Sequence, residues 1–492
     1  MPKILKTKIS AGIFWLEVPE AELFVLCGCP ADSVKHLMKA GKIHDYEIET
    51  DSGSGQNHHS HGTITNETGP NAILLSDLSV QKGDFANLAE FPVLQMLYRQ
   101  GMMLPNHPNN TGAKPLLIGQ ENVVNAQMNY IYRGNYGLTS LEDLISSGLT
   151  REQAEEMMRI KLFFAFGEIR PSSDLLNSVI VDHEPVEVLN GVNVVRKKTN
   201  CYEFFYKDES VEVDLNLAKN ETYETPYQLE NHYFKRDYFS VVHTGEGDGW
   251  DIERPCMASV ICFQGKIFLI DVGPNIAHTL NAIGVDVNEV EGIFHTHAHD
   301  DHFAGLTTLI HTNHKIKYYS TQMVRTSVTK KLSSLMSIQE STFAEYFEVC
   351  DLEFDEWNNI DGLEVKPVYS PHPVETNILF FRTLWENGYA TYAHLADVAS
   401  HDVLNQMLQV NKKKPGISKK LKNKVWNDYL NPVQVKKIDI GGGIIHGKAE
   451  DFKDDKSEKI ILSHTTHKLS KEELLIGCGV TFGSTDVLIE GH

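Results

Sequence analysis

The run His297-Ala-His299-Asp300-Asp301-His302 follows directly on the apolar stretch Val290–Phe294, and it limits what this chain can build more than any other feature. A loop at the end of a strand can aim His297 and His299 at one ion. Asp301 and His302, at the start of a following helix, can face a second. Neutral imidazoles and a carboxylate suit Zn²⁺ or a similar first-row ion. A solvated loop has no physical reason to be so dense in imidazole, even in a chain with 23 histidines. Asp300 stands among these residues, but alternation points it away from them.

The H-x-H-x-D-H spacing resembles that of the metallo-β-lactamase superfamily, and the likeness extends over about residues 238–490. It implies an αββα sandwich, an α/β fold, for the second half of the chain. It also assigns further residues. Asp271, after the strand-like Phe268-Leu-Ile, would orient ligands without binding metal itself. His372, after Val365-Lys-Pro-Val-Tyr, would be a third imidazole. Asp397, after Tyr389-Ala-Thr-Tyr-Ala-His-Leu-Ala, would bridge two ions, and His464, after Lys459-Ile-Ile-Leu-Ser, would complete the set. One ion would then take His297, His299 and His372. The other would take Asp301, His302 and His464, with Asp397 shared. His467 is the alternative to His464, and position at a strand end favours His464. The implied cofactors are two divalent cations, zinc first, with manganese or iron as alternatives. They would activate a water between them, with Asp301 part of the catalytic centre.

Within the superfamily, the Gly-rich acidic stretch Thr244-Gly-Glu-Gly-Asp-Gly-Trp-Asp-Ile-Glu-Arg254 resembles ribonuclease Z-like and cyclic-nucleotide phosphodiesterase-like members. In that branch an extra histidine followed by an acidic residue protonates the leaving oxygen. His446, with Glu450 or Asp451 to orient it, fits that role, and a poor alkoxide leaving group needs such an acid. Gly442 and Gly443, in the triple-glycine run before His446, are weak candidates for holding a substrate phosphate through backbone N–H groups. Histidine at 299, where flavodiiron-type members carry a glutamate, disfavours a redox diiron site. The expected activity is metal-dependent hydrolysis of a small phosphodiester such as a cyclic nucleotide, with RNA 3′ ends second. Two other classes stay open: a thioester or lactone hydrolase, which needs no His446 acid, and a non-catalytic diiron, oxygen or nucleotide sensor.

Composition narrows the partners. The chain of 492 residues carries a net charge of −21, which repels polyanions at long range, so bulk nucleic-acid binding is disfavoured and a small anion held by metal is not. Seven scattered cysteines fit reduced thiols better than a disulfide framework. With no long apolar run and no cleavable leader pattern at the start, neither membrane span nor signal peptide is expected, and the cytoplasm is the expected setting. A homodimer is open to it.

Two domains are expected, a mixed α/β region over 1–235 and the metallohydrolase region over 236–492. Glu22-Leu-Phe-Val-Leu-Cys27 before Gly28 echoes Lys266-Ile-Phe-Leu-Ile-Asp271 before Val-Gly273, with Cys27 where Asp271 stands. The first region is therefore read either as a degenerate copy of the second or as a chance likeness of two αβ units. Asp51–Asn66, with His58, His59 and His61, reads as a polar loop, and Val324–Leu335, with Arg325, Lys330 and Lys331, as a solvated helix face.

Overall fold

A computed structural model of the chain describes residues 3–51, 61–409, 411 and 414–491. They form two compact units: Met1–Ile131 with Arg170–Pro226, and Tyr132–Ile169 with Tyr227–His492.

In the first unit, β1 (Leu5–Ser10), β2 (Ile13–Val18) and β3 (Leu23–Cys27) pair antiparallel. A hairpin of β4 (Asp45–Asp51) and β5 (His61–Glu67) takes both ends of the stretch read as a loop, because Ile48, Thr63, Ile64 and Thr65 supply β-branched side chains. His58 and His59 lie outside the described residues. Strand β6 (Ala72–Leu74) continues the main sheet parallel to β3. The short ladder of β7 (Val80–Gln81) and β8 (Asp84–Phe85) follows, and then β9 (Leu116–Gly119) and β10 (Asn177–Ile180) extend the sheet in parallel. Strands β11 (Val186–Leu189), β12 (Val192–Lys198), β13 (Cys201–Tyr206) and β14 (Glu209–Asp214) form a second, antiparallel sheet.

The second unit opens with β15 (Phe239–Gly245), β16 (Ala258–Phe263) and β17 (Lys266–Ile270), antiparallel, then adds β18 (Val290–Phe294), β19 (Ile316–Thr321) and β20 (Phe347–Leu352) in parallel. Its second sheet runs β21 (Asn358–Ile360), β22 (Leu363–Tyr369), β23 (Asn377–Trp385) and β24 (Gly388–Leu395) antiparallel. Strands β25 (Val435–Asp439) and β26 (Lys459–Ser463) follow in parallel, and β27 (Thr485–Ile489) returns to the free edge of β15. The two sheets share one apolar core, in which Phe294 meets Phe381 with ring centroids 5.1 Å apart. Strands buried on both faces read as mostly apolar runs, as β16 and β17 do. Helix Gln322–Met336 covers the first sheet at β19 and β20. Helices Leu141–Ser146, Arg151–Phe164, His401–Gln406 and Lys419–Tyr429 bury Leu144, Ile160, Leu404 and Val425 against Val368, Ile378, Leu395 and Ile438 of the second sheet. The layering is αββα, the metallo-β-lactamase fold that the resemblance implies.

A single boundary near 235 does not describe this division, because Tyr132–Ile169 leaves its sequence neighbours for the second unit. Full burial of each Leu or Ile is worth about 1.5–3 kcal/mol, and the second sheet offers the apolar face that this segment needs.

The strand order of the first unit repeats that of β15–β24: three antiparallel strands, three parallel additions, then a four-stranded antiparallel sheet. Among the described residues nothing in it corresponds to β25 and β26. Cys27 closes β3 where Asp271 follows β17, and burial pushes its thiol well above the ordinary range. After β6, in the place of the histidine run, stands Asp77. Its carboxylate accepts from Arg196 Nε at 2.8 Å, Asn200 N at 2.6 Å and Tyr202 Oη at 2.5 Å, so hydrogen bonds fill the position.

Candidate metal centre

Each site residue stands at or just beyond the C-terminal end of a strand in the second unit. Asp271 follows β17 in the left-handed region at φ 60°, and two residues on, a Cβ on Gly273 would lie 2.3 Å from the Asp301 carbonyl oxygen. Only glycine admits that approach, which brings the Asp271 turn against the histidine run. Asp271 Oδ1 accepts from Thr296 N at 2.8 Å, and Oδ2 accepts from Thr296 Oγ1 at 2.7 Å and from His302 Nδ1 at 2.8 Å. With Nδ1 donating, the His302 Nε2 lone pair is turned into the site.

The seven expected ligands converge in two groups. Asp397 Oδ2 lies 3.4 Å from His297 Nε2 and 3.2 Å from His372 Nε2, which is 3.0 Å from His299 Nδ1. Asp397 Oδ1 lies 3.2 Å from His302 Nε2 and 3.4 Å from His464 Nε2, and Asp301 Oδ2 stands 3.4 and 3.1 Å from those same nitrogens. The tetrahedral edge around a zinc ion with bonds of 2.0–2.1 Å is about 3.3–3.4 Å, so each group has the spacing of a four-donor shell. All seven side chains are buried.

The donor set fits cations. His297 Nε2 and Asp397 Oδ1 are buried without a hydrogen-bond partner, a state that costs about 1–3 kcal/mol per neutral group and more for a charged one. His372 Nε2 and His299 Nδ1 face each other, as do His302 Nε2 and His464 Nε2 at 3.4 Å. Burial, then neighbouring imidazoles, pushes His299 well below its usual range, and burial also lowers His297 and His372, which keeps all three neutral and ready to coordinate. Burial works the same way on His302 and His464, but the surrounding carboxylates outweigh it and hold both well above the ordinary value.

His446 joins this centre. Its ring centroid is 4.6 Å from that of His464, its Nδ1 is 3.7 Å from Asp397 Oδ2, and its side chain is 19% exposed. Its partner is not the one expected. Glu450 is exposed in the short turn Ala449–Phe452 and makes no contact with His446 among the described bonds, while Asp451 Oδ2 accepts from His401 N at 3.0 Å. Asp439, the last residue of β25, accepts from His446 Nδ1 at 3.1 Å and is fixed by the N–H groups of Gly441, Val398 and Gly447 at 2.8, 3.0 and 3.2 Å. The sequence signal for Asp439 was the short run Ile438-Asp439-Ile-Gly441, the pattern of Ile270-Asp271-Val-Gly273. The N–H of Gly442 already donates to Gly447 O at 3.0 Å and so cannot cradle an anion. Gly443 is exposed.

Supporting contacts correct one other reading. Lys331, expected on a solvated face, is fully buried; its Nζ donates to Ala298 O at 2.5 Å and Asp300 Oδ1 at 2.8 Å, holding the histidine run from behind. Arg325 pairs with Asp351. The Gly-rich acidic stretch serves His464: Glu246 O accepts from His464 N at 2.8 Å while its carboxylate meets the buried Lys437 at 2.8 Å. His467 is exposed and pairs with Glu473 at 2.9 Å. His394 is packed against Tyr392, with Nδ1 3.0 Å from its Oη, and burial takes it down to about 3.

Residues 239–409 match a family model described as the anti-Pycsar protein Apyc1. Over 147 residues the chain is 26% identical to the cAMP/cGMP-dependent 3′,5′-cAMP/cGMP phosphodiesterase B of Dictyostelium discoideum, covering 29% of this chain and 13% of that protein. Over 60 residues it is 40% identical to ribonuclease Z of Thermococcus gammatolerans, covering 12% of this chain and 19% of that protein. The chain thus spans under a fifth of the length of either curated relative. Its structural neighbours are metallo-β-lactamase-fold proteins, among them YhfI from Bacillus subtilis, at 14% identity and a TM-score of 0.38 over 51% of this chain and 98% of that one. Among the described residues no helix is long and apolar enough to cross a membrane.

Proposed function

We propose that the chain is a metal-dependent hydrolase of small phosphodiesters, a cyclic nucleotide before RNA 3′ ends. The observation that carries this reading is the Asp439–His446 pair beside Asp397, since a protonated imidazole at the edge of a metal centre suits departure of a poor alkoxide. The likeness to a cyclic-nucleotide phosphodiesterase over 147 residues supports the substrate class, and the net charge of −21 weighs against long polyanions.

His297, His299 and His372 would hold one cation, Asp301, His302 and His464 a second, and Asp397 both; N and O donors at these spacings favour zinc. When bound, the cations supply an activated water and neutralise charge on the phosphoryl group. The chain's own residues do the rest. Asp271 keeps the His302 lone pair aimed inward. Asp439 holds His446 with Nδ1 protonated, so that Nε2 carries the proton that passes to the leaving oxygen. The seven cysteines are free thiols, which fits a reducing cytoplasm.

The test is hydrolysis of a cyclic-nucleotide panel and bis(p-nitrophenyl) phosphate by purified protein with its metal content measured, alongside His446→Ala. Turnover of a cyclic nucleotide that collapses in the variant with metal retained is the expected result. Turnover of a thioester or lactone unchanged in the variant, with no phosphodiester cleaved, would overturn the reading.

A further inference from the structure

His464 leaves the end of β26 at φ 59°, a left-handed conformation that a residue with a Cβ keeps only where its surroundings hold it. Both supports come from the Gly-rich acidic stretch after β15. The Glu246 carbonyl accepts from His464 N at 2.8 Å, and the Arg254 guanidinium donates through Nη2 to the Thr465 carbonyl. The main chain is therefore held immediately before and immediately after the His464 side chain. Arg254 is itself aimed by Asp251. Oδ2 of that carboxylate accepts from Arg254 Nε at 2.7 Å, and Oδ1 accepts from the N–H groups of Glu253 and Arg254 at 2.8 and 3.0 Å.

Lys437 ties this stretch to the strands that carry His464. On β25 it is level with Ile461 of β26, three residues before His464, and it is fully buried. Its ammonium crosses to the other sheet and donates to Gly245 O at 2.7 Å, Ala258 O at 2.8 Å and Glu246 Oε1 at 2.8 Å, with Ser259 Oγ further off at 3.4 Å. An ammonium has three N–H groups, and the three close acceptors match them. A closed circuit results: β26 bears His464, His464 N meets Glu246, and Glu246 is pinned by the neighbour of β26.

We propose that Lys437 and Arg254 are positioning residues for the cation of the Asp301, His302 and His464 group. Among the described bonds neither touches a donor side chain, and neither is joined to His297, His299 or His372. Lys437 fixes Glu246, while Glu246 and Arg254 keep His464 in its left-handed turn, with Nε2 standing 3.1 Å from Asp301 Oδ2. Groups that orient a metal ligand affect affinity nearly as the ligand does. The inference rests on the reading that the centre takes two cations.

The experiment strips metal from the full chain and titrates zinc back by calorimetry. Native protein should show two binding events, and His464→Ala should lose one of them, which marks the group of Asp301, His302 and His464. Arg254→Ala, a change at a side chain 38% exposed, should weaken that same event about 10–100-fold and leave the other unchanged. Lys437→Met should act on the same event; if it does not fold, Arg254→Ala decides the matter alone. Two native events that Arg254→Ala weakens alike, as general loosening would, or leaves unchanged overturn this proposal only. A single event in the native protein overturns the two-cation reading and this inference with it.

Discussion

His446 Nδ1 stands 3.1 Å from Asp439 Oδ2, and the other oxygen of that carboxylate lies 3.4 Å from His464 Nδ1. One side chain at the end of β25 therefore orients both the imidazole assigned to proton transfer and an imidazole of the metal centre. Burial disfavours the imidazolium of His446, but Asp439 and Asp397 outweigh it and raise its pKa above the usual histidine value. The acid form is the active one, so phosphodiester turnover should be sustained at neutral pH and fall as pH rises through that raised pKa. Asp439→Asn removes the anion, and the alkaline fall should move to lower pH; a pH–kcat profile of the two proteins checks the shift.

His446→Ala should lower turnover of an alkoxide-leaving phosphodiester by about 10²–10⁴-fold, the usual worth of a general acid. The loss should be far smaller with a p-nitrophenolate leaving group, which departs without a proton. Equal losses on both substrates in steady-state assays would contradict the assignment.

Chelation should expose the carboxylates and imidazoles around Asp397 to one another without a counter-cation. An ion at 100 times its Kd contributes about 2.7 kcal/mol, so a chelator should lower the Tm by several degrees and added zinc should restore it. Elemental analysis should find two ions per chain, and Asp397→Ala should lose both. A single tightly bound ion in the native protein would contradict the paired shells.

Lys331 and Asp300 form a buried pair at 2.8 Å behind the histidine run. Removing one partner of such a pair costs about 3–5 kcal/mol because a charge is left in a poorly polar interior. Lys331→Met should therefore lower stability and zinc content together. The double variant Lys331→Met with Asp300→Asn should recover much of both, and urea unfolding with metal analysis compares them.

Lys161 and Glu375 tie the helix Arg151–Phe164 to the loop bearing His372: Lys161 Nζ lies 2.6 Å from Glu375 Oε1 and donates to Tyr136 O and Pro373 O at 2.6 and 3.1 Å. Phe164 stands 6.5 Å from the His372 ring, centroid to centroid. Glu375→Gln leaves the buried ammonium without its anion, and a loss of about 3–5 kcal/mol is expected in urea unfolding. Weaker zinc binding at the group containing His372 should accompany it.

The candidate metal centre was legible in the linear order of residues because its expected donors come in short runs at strand ends, where local chemistry is fixed by neighbours in the chain. His297 to His302, Asp271, His372, Asp397 and His464 each follow an apolar stretch that the core demands, and the structure brings all of them together. The strand order of the first unit likewise agrees with the echo between Glu22–Cys27 and Lys266–Asp271. Other features depended on which surfaces meet across long separations. Asp439 displaced Glu450 as the partner of His446 because a strand end faces the site while an adjacent turn faces solvent. Lys331 looked like a surface charge because periodicity shows only that a helix has two faces; what lies against each is decided by packing, here the Ala298 carbonyl and Asp300. The migration of Tyr132–Ile169 into the second unit has the same origin: burial energy depends on the partner surface, and no local pattern names the partner.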